Sequence, residues 1–172
     1  APTIQLVNVR SQGTSGAGFG SAALVVRKGA SPFVSASVLQ AGSGQILTGV
    51  SSGPLLGAAS MGAYITPEAG PVDFSDSIIQ GGTGGVSTKR VASAGVFTYG
   101  QQLTIRRSLV TAGVGKTSVG FPDGDAPSIV TAGVFGSGLL PAARASLTVA
   151  SSAVSGGRSK GESGASSDGI VI

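Results

Sequence analysis

The chain predicts an all-β fold: an antiparallel β-sandwich, jelly roll or barrel-like domain with Gly-rich loops and a flexible C-terminal arm. Three observations lead there. Short runs of strand-forming residues recur along the 172 residues, separated by Gly- and Ser-rich segments. Capped helical periodicity is nowhere sustained. Apolar residues make up 41% and charged residues 10%, which supplies a core and leaves too little charge for a disordered chain.

In chain order, strands are expected over 3–10, 22–27, 33–39 and 45–50, with turns or loops over 11–20, 28–32 and 40–44. A second group covers 63–66, 87–93, 101–110, 117–121, 128–134 and 145–154. Within 101–110, Leu103, Ile105 and Leu109 share one face, interrupted by Arg107, while Gln102, Thr104, Arg106 and Ser108 share the other. Residues 54–60 and 139–145 offer at most a turn or two of helix.

These elements are expected to form one β-rich assembly domain over 1–155, with a hinge or long hairpin loop at Gly81-Gly82-Thr83-Gly84-Gly85. Residues 156–172 read as a mobile arm, because Gly, Ser and charges dominate until the apolar tip Ile170-Val171-Ile172. Such a tip suits a strand added to the same sheet or to a neighbouring subunit. Val91–Phe97, Val110–Val114 and Val130–Phe135 resemble one another, with glycines 18 and 20 residues apart. One hairpin unit used three times and chance similarity among small residues both account for this.

The residue inventory removes most catalytic chemistry. There is no His, Cys or Trp, hence no ordinary general base near neutral pH and no usual transition-metal ligand. Gly49-Val50-Ser51-Ser52-Gly53 fits the nucleophile-elbow pattern but has no histidine to take the serine proton. A Ser–Lys pair with Lys28, Lys89, Lys116 or Lys160 has no spacing to support it. Gly113-Val114-Gly115-Lys116-Thr117 ends like a phosphate loop, but Val110 stands where its first glycine belongs, and strand-like residues follow. Gly16-Ala17-Gly18-Phe19-Gly20 lacks dinucleotide-binding spacing. Asp123-Gly124-Asp125 fits a hairpin turn better than a calcium loop, and Asp73 with Asp76 is an equally sparse acidic pair. No catalytic residue, cofactor, metal or small-molecule substrate is expected.

The formal net charge is +4. Between 77 and 160 the bases Lys89, Arg90, Arg106, Arg107, Lys116, Arg144, Arg158 and Lys160 face only Asp123 and Asp125. Lys89, Arg90, Arg106 and Arg107 are the candidate contacts to nucleic acid or an acidic partner, with Tyr99 near the last two across a Gly100 turn. Dispersed cations guarding strand edges explain the same pattern without a partner. No run approaches the roughly 18 apolar residues of a membrane helix. Ala1-Pro2-Thr3-Ile4 has no signal-peptide character and fits either a cleaved end or initiator removal.

Low charge, abundant Gly, Ala, Ser and Thr, strands without helices and an apolar tail resemble the composition of virion structural proteins, such as bacteriophage head-decoration and coat proteins. The resemblance implies a non-enzymatic, self-assembling subunit of a virus particle, either shell or cement. Its partners would be copies of itself, with a major capsid protein or the viral genome as further contacts. The expected assembly residues are Ile4, Leu6, Val7 and Val9 at one end and Ile170, Val171 and Ile172 at the other, alongside burial of sheet faces between copies. An extracellular filament or pilus subunit is the first alternative. An adhesin or carbohydrate-binding β domain is the second.

Overall fold

The computed structural model describes residues 3–13, 21–46, 58–86, 91–117, 131–136, 146–160 and 167–171. They form strands that wind into five successive coils. The first holds β1 (Thr3–Val7), β2 (Arg10–Gln12) and β3 (Ser21–Val26). The second holds β4 (Ser31–Ser35), β5 (Val38–Gln40), β6 (Gly44–Ile46) and β7 (Ala58–Ile65). The third holds β8 (Val72–Ser75), β9 (Ile78–Gln80), β10 (Gly84–Val86) and β11 (Val91–Thr98). The fourth holds β12 (Gln102–Arg106), β13 (Leu109–Thr111), β14 (Val114–Thr117) and β15 (Thr131–Gly136). The fifth holds β16 (Ser146–Ala150), β17 (Ala153–Ser155), β18 (Arg158–Lys160) and β19 (Ser167–Val171).

Each strand pairs with its equivalent one coil away, and every pairing among the described residues is parallel. Four sheets result: β1-β4-β8-β12-β16, β17-β13-β9-β5-β2, β18-β14-β10-β6 and β19-β15-β11-β7-β3. The chain is therefore all-β, as expected, but a parallel β-solenoid. The antiparallel sandwich, jelly roll or barrel is overturned. Antiparallel neighbours need only a short hairpin, whereas parallel ones need a long crossover. Here the other strands of each coil supply that crossover.

Where they fall on described residues, the predicted strands coincide with strands, and four of them break at a corner; 47–50, 87–90, 118–121 and 128–130 lie outside the described residues. Positive φ marks Asn8 (55°), Ala36 (47°), Asp76 (50°), Arg107 (44°) and Ser151 (50°), one residue per coil between the first and second sheets. Left-handed backbone is costly for Ala, Arg and Ser, and the surroundings hold it in place. The Asn8, Ala36, Asp76 and Arg107 N–H groups donate to the carbonyls of Ser35, Ser75, Arg106 and Ala150 in the next coil. The residue after each corner is Val9, then Ser37, Ser77, Ser108 and Ser152. The serine hydroxyls donate to the carbonyls of Ser35, Ser75, Arg106 and Ala150 within their own coils. They also accept, at 3.1 Å each, the N–H of Val9, Ser37, Ser77 and Ser108 from the coil before. Ser77 is the buried middle of this ladder. Ser77→Ala leaves the Ser37 N–H and the Ser75 carbonyl short of a partner, so a cost of about 1–3 kcal/mol is expected in denaturant titration. Ser77→Thr, which keeps the hydroxyl, is expected to lose less.

The corner also changes which residues point inward. Leu103 and Ile105 are buried, but beyond Arg107 the inward residue is Val110, and Leu109 is 41% exposed. Leu109 therefore does not share the face of Leu103 and Ile105. The interior is built of such rows. Leu6, Val34, Phe74, Ile105 and Val149 align in register across the first sheet. Leu39, Ile79 and Val110 align across the second, and Leu24, Ala63, Val96, Val134 and Ile170 across the fourth. The central members of these rows form one continuous core.

Two of the three resembling segments are true equivalents. Ser93, Val96 and Phe97 lie in register with Thr131, Val134 and Phe135. Val110–Val114 instead runs from β13 into β14, on other sheets, and among the described residues no antiparallel pairing joins the three. The Gly81–Gly85 segment lies within the third coil and leads into β10. Residues 158–160 and 167–171 are not a free arm: β18 and β19 pair with β14 and β15 and complete the fifth coil. Among the expected helical turns, residues 58–60 open β7, while 54–57 and 139–145 lie outside the described residues.

Candidate assembly surfaces

Stacking the coils leaves two edges with no further strand among the described residues. At one, β1, β2 and β3, with β6 in the third sheet, are the last strands of their sheets; at the other, β16, β17, β18 and β19 are. The inward rows come to the surface there. Ile4 is 44% exposed in the first coil, and Val149 (36%) and Ile170 (44%) in the fifth, whereas Val34, Phe74, Ile105, Ala63 and Val96 between them are at 0%. Val7 and Val25 on outward rows of the first coil are also exposed. Leu6, Leu24, Leu147 and Val154 are only partly covered. Each edge therefore presents apolar side chains beside a row of strand N–H and C=O groups open on one side, the combination that templates another strand.

The expected assembly residues divide between these two edges. Ile4, Leu6 and Val7 belong to β1, and Val9 follows its corner; Ile170 and Val171 belong to β19. Ile172 lies outside the described residues. Sequence reasoning missed Val25 and Val149, which look like ordinary strand residues until the coil containing them proves to be outermost.

Only Arg106 and Arg107 of the expected basic site fall on described residues. Lys89 and Arg90 lie outside the described residues. Arg107 clamps Asp76, the corner residue one coil earlier, through two hydrogen bonds of 2.7 Å. Arg106 lies 3.7 Å from Asp73. Both guanidinium groups thus face a carboxylate of their own chain. Arg107 holds the Asp76 carboxyl below its ordinary range, chiefly by that hydrogen bonding. The contribution of the pair is present above the unfolded carboxyl value, about pH 3.9, and is lost as pH falls through the lower folded one. Tyr99 sits beyond the opposite end of β12 from Arg106, packed 5.3 Å from Phe97 and 6.1 Å from Tyr64 between ring centroids. Gly100, at φ 91°, makes the expected turn.

The remaining motifs resolve simply. Val114–Thr117 is strand β14, between β10 and β18, so the residues of the phosphate-loop reading lie in a sheet, and those after Thr117 lie outside the described residues. Gly49–Gly53, Gly16–Gly20 and Asp123–Asp125 lie outside the described residues. Among the described residues no three Asp, Glu, His or Cys side chains gather as metal ligands, and no helix is long and apolar enough to cross a membrane.

Comparison with protein-family models, curated proteins and solved structures finds no match.

Two further features lie on the second and fourth sheets. On the second sheet, Val38, Ile78, Leu109 and Ala153 stack in register as an apolar stripe, with Ile78 42% and Leu109 41% exposed, beside the row Gln12, Gln40, Gln80, Thr111 and Ser155. On the outer face of the fourth sheet, Met61, Tyr64, Val91, Ala94 and Phe97 form a second buried cluster, with Phe135 stacked on Phe97 at 5.2 Å. Burial, and then the Tyr99 hydroxyl, push the Tyr64 phenol well above its usual value. Unfolding would release that proton more easily, so stability is full below the unfolded value of about 10 and falls as pH rises past it. The wild-type chain is expected to lose thermal stability above about pH 10, and Tyr64→Phe to flatten that decline in circular-dichroism melts.

Proposed function

We propose that this chain is a non-enzymatic structural subunit that works by lengthening a β-stack, in a filament or in the shaft of a virus-particle appendage. The observation that carries this reading is that, among the described residues, the strands of both outer coils end their sheets, with Ile4 at one edge and Val149 and Ile170 at the other exposing what the inner coils bury. Contacts between two different edges generate open, repeating assemblies unless a rotation closes them into rings. The geometry therefore supports an extended particle better than the closed shell or cement layer that composition suggests. Electron microscopy of the purified chain, beside size-exclusion chromatography over a concentration series, tests it. Rods or filaments are expected. Dispersed single copies at every concentration, or turnover of a substrate by the isolated chain, would overturn it.

A second reading, adhesion, is favoured by the exposed Val38–Ile78–Leu109 stripe and its flanking Gln row. Binding to a flat surface or glycan that Ile78→Lys abolishes, with assembly unchanged, would select it.

A further inference from the structure

We infer that the two open edges are made for each other: the fifth coil of one copy receives the first coil of a second copy, head to tail and in parallel. This rests on the structural reading above and names its partner.

Three observations carry it. The first coil presents strands of the first, second and fourth sheets in the same order around the coil as the fifth. Setting β1 of one copy on β16 of another, with β2 on β17 and β3 on β19, repeats the parallel step that every internal coil makes. The side chains agree row by row. Ile4 belongs to the inward row that ends at Leu147, Leu6 to the row that ends at Val149, and Leu24 to the row that ends at Ile170. Joining the edges returns Ile4, Val149 and Ile170 to the surroundings that their equivalents Leu103, Ile105 and Val96 have inside one chain. No carboxylate occurs among the first 30 residues, so no acid lies on the incoming coil to be buried at the joint.

The joint differs from an internal step in two ways: the described first coil brings no strand to the third sheet, so β18 gains no described partner, and one hydrogen bond is missing. Val9 stands where Ser37, Ser77, Ser108 and Ser152 carry the hydroxyl that accepts an N–H from the coil before. Across the joint, Ser152 N–H meets the Val9 side chain and finds no such acceptor. The joint is accordingly weaker than the contacts within a chain, and copies can associate and separate without unfolding.

The test uses blocked edges. Ile4→Lys places a cation on the first-coil edge, and Val149→Lys does so on the fifth; both positions are exposed in the single copy, so each variant should keep the wild-type circular dichroism. Each alone is expected to form no filament. Mixed one to one, they are expected to give a complex of two copies and nothing longer, because one good edge of each kind remains. Analytical ultracentrifugation distinguishes these species. Ile170→Lys substitutes for Val149→Lys if the latter unfolds. Val9→Ser supplies the missing acceptor and should tighten wild-type association about fivefold, the equivalent of one hydrogen bond of about 1 kcal/mol. Filaments formed by either blocked variant, or a mixture that stays as single copies while the wild type assembles, would overturn the head-to-tail joint and leave the structural reading standing. A wild type that does not assemble at all would overturn both.

Discussion

Replacing Phe74 with alanine is expected to cost about 3–5 kcal/mol, the range for truncating a buried aromatic to alanine. Phe74 is fully buried in the middle coil, and its register neighbours Val34 and Ile105 are fully buried as well. No flexible edge lies beside it to collapse into the space. In a stacked-coil protein each coil contacts only its neighbours, so a fault in the third coil separates the two halves of the ladder. Denaturant unfolding should show the loss as a lower midpoint. A broadened or two-step transition should appear as well, because the halves no longer unfold together. The same truncation at exposed Ile4 should cost far less.

Gly95→Val should be comparably damaging, at about 3 kcal/mol. Gly62, Gly95, Gly133 and Gly169 occupy equivalent points of the fourth sheet, where the chain bends between two inward residues. A Cβ on Gly95 would lie 2.6 Å from the Gly133 carbonyl oxygen in the next coil and 2.6 Å from Val110 Cγ1 across the interior. Ala23 fills this position in the first coil, which has a partner on one side only and has room to shift. The third coil has neighbours on both sides. Gly95→Val is therefore expected to lower the melting temperature by roughly 6–12 °C, and Ala23→Gly to change it little.

The sequence discloses strands where alternation survives over several residues, as in Leu103-Thr104-Ile105, but not the short β8, β9 and β10 of the third coil or β18 and β19 of the fifth. It does not disclose how they pair, since parallel and antiparallel strands share the same two-residue period. The corners were hidden for a related reason. None of Asn8, Ala36, Asp76, Arg107 and Ser151 is glycine, so runs such as 101–110 read as single strands when each is two. A usable signal was present in the serines at 37, 77, 108 and 152, each a fixed distance after a short apolar strand.

The repeat is masked by its connections. Register steps of 28 (Thr3 to Ser31), 40 (Phe33 to Asp73), 31 (Asp73 to Thr104) and 44 residues (Thr104 to Thr148) separate successive coils. The part from the first sheet to the third keeps a constant 11 residues (Phe33 to Gly44, Asp73 to Gly84, Thr104 to Gly115, Thr148 to Ser159). Most of the variation falls between the third and fourth sheets, where insertions leave the stack intact. The edge positions of Ile4, Leu6 and Ile170 were legible as apolar side chains near polar sequence. The second half of the fifth coil was not, because Arg158-Ser159-Lys160 looks like a tail when a strand at the edge of a stack needs few inward side chains.

Spin labels at Gln40 and Gln80 measure the in-register parallel stack most directly. The chain has no cysteine, so Gln40→Cys and Gln80→Cys can be labelled cleanly. Both residues are exposed and directly paired between β5 and β9, on strands about 4.8 Å apart. With the labelled chain diluted in unlabelled protein, the double variant is expected to give a strongly exchange-broadened spectrum and each single variant a sharp one. A double-labelled spectrum equal to the sum of the two singles would contradict the stacked coils and everything built on their open edges.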